Sequence, residues 1–272
     1  LRSRKTSIEI NGIDIYFEEY YHSPHQETYV LIHGFLSSSF SFRKLLPFLS
    51  AENNVISIDI PPFGKSGKIS RFQYSYENIS ITILFLLVSL GYKQVYIIGH
   101  SMGGQIALNM MLQRPSFIHK GILLASSGYM AKTKRSLRLL SHFPFFNHYI
   151  RYYLNQTGVE GNLKQVVYDT TCIDQEMYDG YLEPFLDTNI FRALTRMVRD
   201  REGDLPVEKL NRIQTPCLLI WGDHDRIVPL HIGQRLVKDL PNADLIVLKN
   251  TGHLLPEEKP EDVYRKIKEF VQ

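Results

Sequence analysis

The chain has 272 residues, 44% of them hydrophobic and 22% charged, and 31 basic against 28 acidic side chains leave a formal net charge of +3. That is the balance of an ordinary globular protein; it excludes a disordered chain and gives no reason to expect a nucleic-acid partner. No run reaches the roughly 18 apolar residues of a membrane span, the longest candidate (79–90) being interrupted by Ser80, Thr82 and Ser89. Cys172 and Cys217 stand far apart and are read as reduced thiols, Cys217 inside a buried strand. No apolar stretch follows Arg2, Arg4 and Lys5, so no secretory leader is read and a cytoplasmic location is the expectation.

Along the chain, residues 8–10 and 13–20 flank Asn11-Gly12, a strong hairpin signal. Residues 29–32 predict a short buried strand ending at His33-Gly34, and 40–49 have helical spacing. A strand over 55–60 is terminated by Pro61-Pro62-Phe63-Gly64, and a helix over 76–90 is closed by Gly91. Residues 95–98 form a strand without polar alternation, as in a sheet covered on both faces, and a helix over 102–113 follows. After a strand at 121–125 the rhythm breaks. From 127 to 210 there are only helical patches rich in Leu, Phe, Tyr and Met. The densest basic run, Lys132, Lys134, Arg135 and Arg138, lies here among leucines; it reads as a solvated helix face, with attraction of an anionic ligand or surface as the alternative. Strands resume at 216–221 and 245–248, with helices over 230–240 and 260–271. The pattern predicts an α/β architecture: a mostly parallel central sheet with helices on both faces, a core of residues 1–126 and 211–272, and a helical cap or lid over 127–210.

Gly99-His100-Ser101-Met102-Gly103 sits between a predicted strand and a predicted helix. This is the context of a nucleophile elbow, in which a serine is held on a strained turn above the sheet edge. Glycines on either side of Ser101 supply room where a Cβ would collide, and the helix start aims amide hydrogens at developing negative charge. A serine hydroxyl is a poor nucleophile alone and needs a base oriented by an acid. Of the ten histidines, His253 is the expected base, because Asn250-Thr251-Gly252-His253 follows the last strand. His33 is expected to hold loop shape and His100 to support the nucleophile. Two carboxylates after the strand at 216–221 compete for the acid's place. Asp225, deeper in Gly222-Asp223-His224-Asp225, is favoured, while Asp223 is given a bracing role. The oxyanion donors are expected to be the backbone amides of Met102 and Phe35. The Phe35 ring either lines the acyl pocket or packs under a neighbouring helix.

These residues resemble the α/β-hydrolase fold superfamily, and within it small bacterial carboxylesterases and carbon–carbon-bond hydrolases. The markers are His33-Gly34-Phe35, Asp59-Ile60-Pro61-Pro62-Phe63-Gly64-Lys65-Ser66, Gly99 to Gly104, Gly222 to Pro229, and Gly252-His253. The resemblance implies a triad of Ser101, Asp225 and His253, an oxyanion hole at Phe35 and Met102, and a substrate-selecting cap. Pro62 stands where the family usually has glycine. A serine nucleophile excludes the similar haloalkane dehalogenases and epoxide hydrolases, which use aspartate. His100 stands where carbon–carbon-bond hydrolases often carry another residue, an argument for an esterase.

The expected activity is hydrolysis of small or medium, mainly apolar carboxylic esters through an acyl-enzyme. The alternatives are hydrolysis of a vinylogous diketone at a carbon–carbon bond, or a ligand-binding or signalling role on the same fold. Phe35, Tyr129, Phe143, Phe146, Met197 and Leu254 are the expected substrate-binding side chains, beneath an insertion rich in aromatic and aliphatic groups. No metal cluster is seen, and Gly64-Lys65-Ser66 lacks the preceding phosphate-cradling glycines, so no cofactor is expected.

Overall fold

The computed structural model describes residues 2–156 and 158–272. Among these residues eight strands form one sheet: β1 (Arg2–Ile10), β2 (Ile13–Tyr21), β3 (Thr28–Ile32), β4 (Asn54–Ile58), β5 (Val95–His100), β6 (Ile118–Leu124), β7 (Cys217–Gly222) and β8 (Ala243–Leu248). Their spatial order is β1-β2-β4-β3-β5-β6-β7-β8. Only β1–β2 and β2–β4 pair antiparallel; every other neighbouring pair is parallel. The β1–β2 hairpin turns on Asn11 (φ 52°) and Gly12 (φ 73°), the two left-handed residues that a tight turn between right-twisted strands requires.

Helices α1 (Leu46–Ser50), α2 (Tyr76–Ser89) and α3 (Met102–Gln113) accompany the first half of the sheet. Helices α4 (Arg135–Leu140), α5 (Phe146–Asn155), α6 (Gly158–Val166), α7 (Gln175–Leu182), α8 (Asn189–Asp200) and α9 (Val207–Leu210) lie between β6 and β7, and α10 (Leu230–Asp239), α11 (Leu255–Glu258) and α12 (Pro260–Val271) complete the chain. Residues 40–49, expected as one helix, divide into a 3-10 turn (Ser39–Phe42) and the short α1. Pro47 explains the break: it lacks an N–H and its ring collides with the carbonyl four residues earlier, so it is tolerated only in a first turn.

Strands β3, β4, β5 and β7 are buried along their whole length, as a sheet covered on both faces demands. The main core runs through the sheet and takes in Ile190, Leu194 and Met197 of α8. A second, smaller cluster joins Leu163, Val167, Met177 and Tyr181 to Leu254, tying α6 and α7 to the loop after β8.

The strand order reverses at β3: the chain steps outward to β4, then returns to lay β5 on the other side. Loops leaving the carboxyl ends of β3 and β5 therefore diverge from adjacent strands, where open α/β sheets place their sites. The register Ile32↔Gly99 brings the loop that begins at His33 beside Ser101.

Candidate active site

Ser101 occupies a backbone conformation (φ 54°, ψ −118°) that L-residues rarely adopt. It is held there from three sides. Its amide donates to Leu124 O at 2.9 Å, and its carbonyl accepts from Gly104 N and Ser127 N, both at 3.0 Å. A Cβ at Gly99 would strike the Gly103 backbone, and one at Gly103 would strike the carbonyls of Ile32 and His33. The turn is thus wedged between β3 and β6. Gly34 passes so near that an added Cβ would lie 3.1 Å from that of Ser101.

On the far side, β7 ends in Trp221, fully buried, whose indole N–H donates to Val228 O at 2.8 Å and closes the loop 222–229 upon itself. Inside that loop Asp225 Oδ1 accepts from the amides of Ile227 (2.8 Å) and Val228 (2.9 Å). The other oxygen, Oδ2, accepts from His253 Nδ1 at 2.7 Å, with both side chains buried. A proton at Nδ1 leaves Nε2 as the lone-pair nitrogen, the form a general base requires. Asp223 faces elsewhere: its Oδ1 accepts from Thr251 N at 3.2 Å and meets His224 Nδ1 at 2.6 Å, bracing the two loops.

The neighbourhood is stiffened by two neutral histidines. His100 Nε2 donates to His253 O at 2.9 Å; complete burial, reinforced by the nearby His253, pushes its pKa down to about 3. His33 donates from Nδ1 to Gly34 O at 2.8 Å and accepts at Nε2 from Ile60 N at 2.9 Å, and burial lowers its pKa as well. Asp59 accepts from Ser39 N (2.7 Å) and Lys65 N (2.8 Å), folding 59–66 into a compact turn. Phe63 in that turn meets the Phe35 ring edge-on, with centroids 5.4 Å apart. The His253 amide itself donates to Val166 O, the last residue of α6, at 2.7 Å. This approach is close enough that a Cβ at Gly252 would collide with the backbone of Val166 and Tyr168.

Two cavities meet at Ser101. One, about 450 Å³, is lined by Ser101, His100, His253, Leu254, Tyr181 and Phe185 among others. The other, about 660 Å³, is lined by Met102, Phe146, Leu194, Met197, Arg201 and Glu202 among others. Phe35, Tyr153, Leu154 and Ile227 line both.

The chain matches the α/β hydrolase fold family over residues 29–260. It belongs to that family. The hydrolase YugF of Bacillus subtilis (strain 168) is 47% identical over 263 residues, covering 97% of this chain and 96% of the relative. A 2-hydroxy-6-oxononadienedioate/2-hydroxy-6-oxononatrienedioate hydrolase of Pseudomonas putida is 29% identical, covering 90% of this chain and 88% of that one. In structure, this hydrolase resembles a thermophilic esterase from Thermogutta terrifontis (TM-score 0.80, 20% identity, 98% of each chain). A meta-cleavage product hydrolase from Pseudomonas fluorescens IP01 is as similar (TM-score 0.80, 20% identity, 98% of this chain and 97% of that one).

Of the substrate-binding side chains expected in this hydrolase, Phe35, Phe146, Met197 and Leu254 line the cavities. Tyr129 and Phe143 do not. Tyr129 donates its hydroxyl to Asp239 at 2.6 Å with Arg235 3.8 Å over its ring, which turns it toward α10. Phe143 is 66% exposed on the outer surface. Composition marks a stretch as aromatic but carries no direction. Tyr153, one of the insertion's aromatic side chains, lines both cavities, whereas Leu154, Tyr181 and Ile227 were not foreseen; the one available signal was the position of Ile227, two residues beyond Asp225. Among the described residues no cluster of His, Cys, Asp and Glu is arranged to hold a metal ion, and no helix is long and apolar enough to cross a membrane.

Proposed function

We propose that this hydrolase cleaves carboxylic esters of small or medium, mainly apolar molecules through an acyl-enzyme on Ser101. The observation that carries this reading is a serine held on a strained turn in the same apolar cavity as a buried His253–Asp225 pair. His253 Nε2 takes the hydroxyl proton as Ser101 Oγ attacks the ester carbonyl, and Asp225 steadies the imidazolium that forms. The oxyanion rests on the amides of Met102 and Phe35, the first at the start of α3 where helix amides lack intrahelical partners. One such donor is worth about 3 kcal/mol in the transition state. His253 then hands its proton to the leaving alkoxide, and water activated by the same nitrogen releases the acid. Residues 127–210 act as the cap that encloses the substrate.

The second reading, hydrolysis of a carbon–carbon bond, is favoured by the name of the Pseudomonas putida relative. The lining chemistry argues against a dicarboxylate of that kind here. Among the described residues the cavity beside His253 is lined by no Lys or Arg, and the larger one by Arg201 alone of the cations, with Glu202 also in its lining. A dianion would be stripped of water with a single guanidinium in return. The test is turnover of p-nitrophenyl esters from acetate to decanoate, beside a ring-cleavage dienedioate. Ester hydrolysis that drops at least about 10³-fold in Ser101→Ala supports the proposal. Full ester turnover by that variant, or turnover of the dienedioate alone, overturns it.

A further inference from the structure

Residues 129 to 159 contain Lys132, Lys134, Arg135, Arg138 and Arg151 but no Asp or Glu. None of the first four is in an ion pair among the described residues. The same stretch has an unusually bare apolar surface. Helix α4 buries none of its six residues. Leu139 is 69% exposed, and Phe143, Phe145 and Tyr152 are between 66% and 76% exposed. Single exposed apolar residues need no explanation, but this many in one short stretch mark an interaction surface.

The position of the stretch matters as much as its composition. Met130, Leu137, Tyr149 and Tyr153, all well exposed, also line the larger cavity that reaches Ser101. The apolar surface therefore rims a mouth of the site. Aromatic and leucine side chains beside unpaired cations are the arrangement by which a helix lies in a lipid headgroup region: rings enter the acyl boundary while Lys and Arg reach anionic headgroups. A second copy of the chain fits poorly, since a two-fold contact would set the basic run 132–138 against itself.

We propose that residues 130–153 dock this protein onto an anionic lipid bilayer, with the mouth of the larger cavity at headgroup level. Docking does not depend on hydrolysis, so it is measured on Ser101→Ala as well as on the unaltered protein, and its failure leaves the ester assay unaffected.

The experiment is co-sedimentation with vesicles of phosphatidylcholine alone or mixed equally with phosphatidylglycerol, at low and at raised salt. Binding to the mixed vesicles, weaker with salt and much weaker on phosphatidylcholine, is expected. Joint replacement of Lys132, Lys134, Arg135 and Arg138 by Gln lowers partitioning more than tenfold, each charge being worth roughly fivefold. Phe143→Ser with Phe145→Ser weakens it several-fold at any salt. A control carrying Gln at Lys93, Lys209, Lys238 and Lys249, equal in charge, keeps most of the binding. In the unaltered protein, mixed vesicles slow tryptic cleavage after Arg135 and Arg138. No binding to the mixed vesicles, equal loss in the control, or unslowed cleavage overturns the proposal, as does a concentration-dependent dimer that hides the patch while vesicles stay unbound.

Discussion

The loops at the carboxyl ends of β3, β5, β7 and β8 and the helices α4 and α5 face the same cavities, yet they are built to opposite standards. Around Ser101 and His253 the backbone is wedged: glycines admit neighbouring chain, and Asp59, Asp225 and the buried His33 and His100 bind backbone groups. Across the cavity α4 has no buried residue, and much of the lining it shares with α5 is open to solvent. Nucleophilic chemistry needs atoms held to fractions of an ångström, and selection of apolar substrates does not. The comparison predicts that changes at the sheet edge alter the rate of the chemical step, while changes in the helices alter which molecule is admitted.

The largest effect expected is at Asp225→Asn. Oδ1 can still accept from Ile227 and Val228, but an amide facing His253 Nδ1 favours the other tautomer, with the proton on Nε2. kcat for p-nitrophenyl butyrate should fall about 10⁴-fold while thermal unfolding stays cooperative. A loss below tenfold would remove Asp225 from the mechanism. Next comes Leu154→Trp at the junction of the two cavities. kcat/KM for long acyl chains should fall about tenfold with acetate esters spared, because steric filling discriminates by roughly 1–3 kcal/mol. Equal losses for every chain length would mean the helices shape the reacting centre too.

The smallest effect is a pH dependence set by the buried edge. The His100 imidazole titrates near its ordinary value of 6.5 when the chain is unfolded but only at about 3 when folded. Between those values the unfolded chain holds a proton that the folded one lacks, so stability falls as pH falls below about 6.5. One such group contributes about 1.4 kcal/mol per pH unit across that window. His100→Asn, which keeps a donor for the His253 carbonyl, should flatten the fall by that slope in denaturant titrations between pH 6.5 and 5. An unchanged slope would assign the acid sensitivity elsewhere.

Much of the fold was legible because its signals are local. Asn11-Gly12 announces a hairpin that the structure forms, and the apolar run at 95–98 before Gly99 announces a buried strand followed by α3 (Met102–Gln113). The four-residue helices α9 and α11 are too short to show a period. Strand β4 stops at Ile58, earlier than expected, because Asp59 turns its carboxylate to Ser39 and Lys65, partners set by tertiary contact. The same limit governs the site. The candidate nucleophile, base and acid stand in short motifs, whereas cavity lining depends on which face of each helix meets the sheet. Phe146 and Tyr129 are equally aromatic in the sequence, yet one reaches a cavity and the other reaches Asp239.

The bond from the His253 amide to the Val166 carbonyl ties the imidazole's own peptide to the end of α6. A swing of residues 158–166 away from the sheet pulls on the chain that carries that ring. The position of that ring is for that reason set partly by where α6 packs, and not by the sheet edge alone.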